Sequence, residues 1–80
     1  MKGVLFTTDQ APGAIPNGTR VEKINSEPGD GHPDGTTGRV IGSVAVEDPR
    51  LPARYVYFVE WVDLPAVPVA VGDNRIREVE

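Results

Sequence analysis

The eight prolines of this 80-residue chain constrain its fold more than any other residue type. They fall in four pairs, Pro12 and Pro16, Pro28 and Pro33, Pro49 and Pro52, and Pro65 and Pro68, and three of the pairs lie in or beside Gly, Asp or Asn clusters. Proline fixes its own φ, has no N–H to give to a ladder, and breaks a helix interior. The pairs therefore divide the chain into loops with short segments between them, and no segment is long enough for a stable helix.

Those segments have strand chemistry, being rich in Val, Ile, Thr and aromatics with partial two-residue alternation. The pattern predicts strands from Thr19 to Ile24, after the turn pair Asn17 and Gly18, and from Thr37 to Val46. It predicts a third from Arg54 to Val62, a fourth from Ala66 to Val71, and a fifth from Arg75 to Val79 after the turn cluster Gly72, Asp73 and Asn74. In the second, Val40, Val44 and Val46 share one face, with Gly42 between them as a place to bend or bulge. In the third, Tyr55, Tyr57, Val59 and Trp61 share one side, and Val56, Phe58, Glu60 and Val62 the other. Five short strands with a long first loop form the element list of a small, partly open barrel.

Eighty residues allow one core, because a chain this short buries only about 60% of the surface its unfolded form exposes. The expected core is Val21, Ile24, Val40, Val44, Val46, Tyr57, Val59, Trp61, Val69, Val71, Ile76 and Val79. There is no cysteine, which excludes disulfides, thiolate zinc sites and a cysteine nucleophile. Twelve acidic against eight basic residues give a net charge of -4, which disfavours nucleic acid and anionic membrane as partners. The apolar run Val4, Leu5 and Phe6 is far shorter than a signal-peptide core, and no later stretch approaches a membrane span, so the expected compartment is the cytoplasm.

A resemblance covers about Pro16 to Val79. It is carried by Gly18, Thr19, Arg20 and Val21, a long polar loop, Gly38, Arg39 and Val40, then Tyr57, Phe58, Val59, Glu60 and Trp61, and Ile76 in a closing strand. This layout resembles SH3-like barrels of the KOW and chromo type, and it implies an all-β, five-stranded, partly open SH3-like barrel over residues 16–80. The loop from Asn25 to Thr37 stands in the place of the long first loop. The early acidic-aromatic motif of peptide-binding SH3 domains is absent, so proline-peptide recognition does not carry over. Residues 1–15 form an N-terminal arm, with Val4 to Thr8 expected as a short strand added to a barrel edge and Asp9 to Ala14 as a linker.

Catalytic and metal chemistry find little support. Asp30, His32 and Asp34, spaced two apart before Gly35, resemble the start of a calcium loop, but the twelfth position is Ile41 and Pro33 stiffens the middle. The expected role of this segment is a structural loop with no metal and no cofactor, its lone His32 exposed to solvent. Ser26 and Ser43 lack a glycine elbow, so no nucleophile-base pair is apparent and the chain is expected not to be an enzyme. The candidate binding residues are Tyr55, Tyr57, Phe58 and Trp61, since aromatics are enriched at binding hot spots, with Arg39, Arg75 and Arg77 as a small basic patch. The expected function is a non-catalytic interaction module that binds a protein partner or a second copy of itself, with no small-molecule substrate. The alternative is a KOW-like nucleic-acid binder using Arg20, Lys23, Arg39, Arg75 and Arg77.

Overall fold

The computed structural model describes residues 7–51 and 53–79. It is all-β, with five strands, β1 Arg20–Lys23, β2 Thr37–Ala45, β3 Tyr55–Trp61, β4 Pro68–Gly72 and β5 Ile76–Glu78, and one 3-10 turn, Asp73–Arg75, before β5. The strands pair antiparallel in the order β4-β3-β2-β1-β5, so the sheet is not closed and β4 and β5 are its edges. Each predicted strand lies where the proline and glycine punctuation puts it. Of the predicted arm strand, Val4, Leu5 and Phe6 fall outside the described residues, and Thr7 and Thr8 are not in a strand. Among the described residues no helix is long and apolar enough to cross a membrane.

The core is the inner face of the central strands: Val21, Val40, Tyr57, Val59, Trp61 and Ile76 are buried, with Ala14, Ile15, Tyr55, Val69 and Val71 half-buried against them. The alternation along β3 holds, and Tyr57, Val59 and Trp61 all face inward. The expected core loses Val44, which is 40% exposed. The reason is a bulge: Val40 pairs with Val59 and Gly42 with Phe58, so Ile41 is an extra residue that reverses the phase of the rest of β2. Ser43 turns inward opposite Tyr57, and Val44 turns outward opposite Val56. Ile24, Val46 and Val79 are half-buried only, lying just beyond the strand ends.

Gly42 also explains how the arm docks. A Cβ there would lie 1.7 Å from the Thr7 carbonyl oxygen, so the chain at Thr7 crosses β2 at a distance only glycine permits. Past this crossing the Ser43 N–H donates to the Asp9 carbonyl at 2.8 Å, and the Ser43 Oγ accepts from the Ala11 N–H at 2.9 Å. The Tyr57 hydroxyl then accepts from the Ile15 N–H at 2.9 Å, and the Tyr55 hydroxyl donates to the Pro12 carbonyl at 2.9 Å. Burial pushes the Tyr57 phenol above its ordinary pKa, against a smaller opposing effect of the Ile15 N–H.

The first long loop is organised from β1. Lys23 is buried, and its ammonium donates to the Ile24 carbonyl, the Ser26 hydroxyl and the Asp30 carboxylate at 3.1, 3.1 and 3.3 Å. These contacts satisfy all three ammonium protons, which makes burial of the charge tolerable. Asn25, with φ of 54°, turns the chain out of β1, a conformation Asn tolerates better than most residues. Its amide donates to the Asn74 carbonyl at 2.9 Å, which ties the loop to the 3-10 turn.

Candidate interaction site

Trp61, the last residue of β3, is 1% exposed and lines two grooves. It fits because Gly38 sits beneath it on β2. A Cβ on Gly38 would lie 2.9 Å from the Trp61 ring and 2.8 Å from the Glu60 carbonyl oxygen. The indole Nε1 is buried and has no hydrogen-bond partner among the described residues, an arrangement that costs about 1–3 kcal/mol in a folded protein.

The first groove, of about 360 Å³, runs between Arg20 and Arg39 on one side and Trp61, Val62 and Pro65 on the other. Arg20 and Arg39 are directly opposite across β1 and β2. The Val40 N–H donates to the Thr19 carbonyl at 3.0 Å, which makes the arginines a non-hydrogen-bonded pair, the kind whose side chains stand closest. Arg39 donates to the Gly18 carbonyl at 2.8 Å, and among the described residues Arg20 has no ion-pair partner. Glu60 faces Arg39 from β3, but its carboxylate accepts the Ala66 N–H at 2.5 Å.

That bond shapes the wall of the groove. Ala66 has φ of 67°, the left-handed region where a Cβ is strained, and Glu60 holds it there. The connection between β3 and β4 is thereby fixed with Val62, Leu64 and Val67 turned to solvent at 68%, 40% and 44% exposure. The predicted fourth strand included Ala66 and Val67, but β4 begins at Pro68.

The second groove, of about 240 Å³, lies between the first loop and β4, with Lys23, Asp30, His32 and Arg75 around Trp61, Val69 and Val71. His32 is not exposed as expected: its side chain is 11% accessible because the imidazole stacks on Trp61, ring centres 5.1 Å apart. Its Nδ1 lies 3.0 Å from the Asp63 carboxylate. Asp30 and Asp34 have other partners. The Glu27 N–H, then the Lys23 ammonium, hold the Asp30 carboxyl below its ordinary pKa, and hydrogen bonds from Ser26 do the same for Asp34. The three side chains do not converge, and among the described residues no cluster of three His, Asp or Glu is arranged to hold a metal ion.

Of the seven expected binding residues, the structure brings Trp61 and Arg39 together at the first groove and Trp61 and Arg75 at the second. Tyr55 and Tyr57 clasp the arm, and Phe58 is half-buried on the outer face of β3 opposite Ala70. Arg75 closes the 3-10 turn and Arg77 lies within β5. Arg75 pairs with Glu27 at 2.8 Å and Arg77 with Glu22 at 2.7 Å. Sequence reasoning passed over Val62, Leu64 and Val67. The available signal was an apolar segment bracketed by Pro65 and Pro68, which belongs to a loop more naturally than to a strand.

No family model, no curated protein and no solved structure matches the chain.

Proposed function

We propose that the chain is a partly open SH3-like barrel that works as a non-catalytic interaction module and binds a protein partner. The SH3-like reading is supported by β5 returning to lie beside β1, by the 3-10 turn that leads into it, and by the long loop after β1. The binding reading is carried by one observation: Val62, Leu64 and Val67 are all exposed in the six-residue connection between β3 and β4, where Glu60 accepts the Ala66 N–H. A fixed apolar projection beside a groove is what protein contacts use, because little order must be imposed when the partner arrives. A non-catalytic role fits the use of both candidate serines, since Ser26 donates to the His32 carbonyl and Ser43 receives the Ala11 N–H.

A random peptide display selection on the intact chain tests this, with Leu64→Asp and Val67→Asp variants as counter-selection and light scattering to measure solution mass. Enriched peptides that lose binding to both variants support the reading. A dimer that both variants dissociate makes the partner a second copy. A monomer that enriches no peptide dependent on Leu64 or Val67 overturns it.

A further inference from the structure

The geometry points to an acidic protein segment as the ligand of the first groove, its carboxylates received by Arg20 and Arg39 and its apolar side chains by Val62 and Pro65. This inference rests on the interaction-module reading and names the partner's chemistry.

Like charges directly opposite on neighbouring strands repel, and a fold ordinarily offsets them with a nearby carboxylate. Among the described residues, neither arginine forms an ion pair. Glu60, beside Arg39, accepts the Ala66 N–H, and Glu22, two residues along β1 from Arg20, pairs with Arg77. The two guanidiniums line the groove together with Val62 and Pro65, and Glu60 is the one carboxylate among its lining residues. Planar guanidiniums receive carboxylates through paired N–H donors, and two on adjacent strands offer sites for one or two acids.

The same census decides against nucleic acid. Of the five cations in the expected basic surface, Lys23, Arg75 and Arg77 are bound to Asp30, Glu27 and Glu22. Two remaining charges cannot follow a backbone that places a phosphate about every 3.4 Å along each strand. An acidic segment needs only these two. Beyond a Debye length of about 8 Å at physiological salt the remaining charges are screened, so the local pair governs the contact.

Trp61, the single tryptophan, lines the groove and reports on it by its emission. The test titrates the full chain with a ten-residue peptide of glutamates and leucines, with its glutamine counterpart, and with a ten-nucleotide single strand. The expected result is saturable binding of the glutamate peptide, weakened about threefold to tenfold by either Arg20→Gln or Arg39→Gln. Circular dichroism checks that each variant keeps its fold, and Arg20→Gln leaves the Arg39 bond to Gly18 intact. Equal binding of the glutamine peptide, or equal binding by both arginine variants, overturns the acidic assignment but leaves the interaction module standing. Preference for the oligonucleotide also overturns it. Failure of every probe together with an empty display selection removes the module itself.

Discussion

Arg39 and Glu60 stand opposite each other across β2 and β3, yet the carboxylate turns to the Ala66 N–H and the guanidinium to the Gly18 carbonyl. One side chain thus helps to hold the apolar connection and also stands as a carboxylate opposite Arg39 without forming an ion pair with it. The two roles separate in mutants. Glu60→Gln keeps an acceptor for Ala66 and removes the charge, so affinity for the glutamate peptide should rise about fourfold, the Coulomb value for a unit charge some 5 Å away in water. Glu60→Ala should release the connection. Amide exchange at Ala66 checks this, remaining slow in Glu60→Gln and becoming fast in Glu60→Ala.

His32 covers one side of Trp61 while lying outside the buried core. Replacing it with alanine should leave the sheet intact and expose the indole, shifting Trp61 emission to the red and increasing quenching by acrylamide. An unchanged spectrum would mean that the stack does not shield the ring in solution.

Acid should loosen the first loop. The pKa values of Asp30 and Asp34 are lowered in the folded chain by the hydrogen bonds they receive. Their stabilising contribution is therefore complete above the unfolded value of about 3.9 and is lost as the pH falls through the lower folded values. Because His32 belongs to this loop, an acid titration of Trp61 emission should show a transition in that range. A chain carrying Asp30→Asn and Asp34→Asn should already have the low-pH spectrum at neutral pH. If the two titrate alike, these carboxylates do not hold the loop.

Alkali should act on Tyr57. Its folded pKa is raised by burial, so the native state keeps a proton that the unfolded chain gives up near pH 10. The linked stability is fully present below about pH 10 and is lost as pH rises through the folded value. Tyr57→Phe should remove this component from the alkaline profile. At neutral pH it should cost about 1 kcal/mol, because the Ile15 N–H loses its acceptor. Urea unfolding at pH 7 and across the alkaline range measures both effects.

The strand set was legible because proline and glycine mark boundaries by backbone chemistry, which acts before any tertiary contact. The inward face of β3 was legible for a similar reason, since its alternation is unbroken from Tyr55 to Trp61. The phase of β2 was not, because Val40, Val44 and Val46 keep a two-residue spacing through Gly42, and a single extra residue at Ile41 reverses it. Gly42 hinted at a bulge but could not give its register, which is set by Thr7 crossing above. Trp61 and Arg39 could be picked out as reactive residue types. Their convergence with Arg20, and the pairing of Arg75 with Glu27 and of Arg77 with Glu22, depend on which strands and loops are neighbours.

The clasp of the arm by Ser43, Tyr55 and Tyr57 joins residues 32 to 43 positions apart in the chain. Loops that long close late, after the β2–β3 hairpin has formed from much nearer partners. The clasp should thus be absent from the folding transition state and present only beyond it. Gly42→Ala, which drives a methyl group into Thr7, should leave the refolding rate nearly unchanged and speed unfolding by most of its destabilisation, about 1–3 kcal/mol for an overpacked site. In a stopped-flow chevron the two limbs would respond unequally. The arm would then set how long the native state survives, while the sheet sets how quickly it is reached.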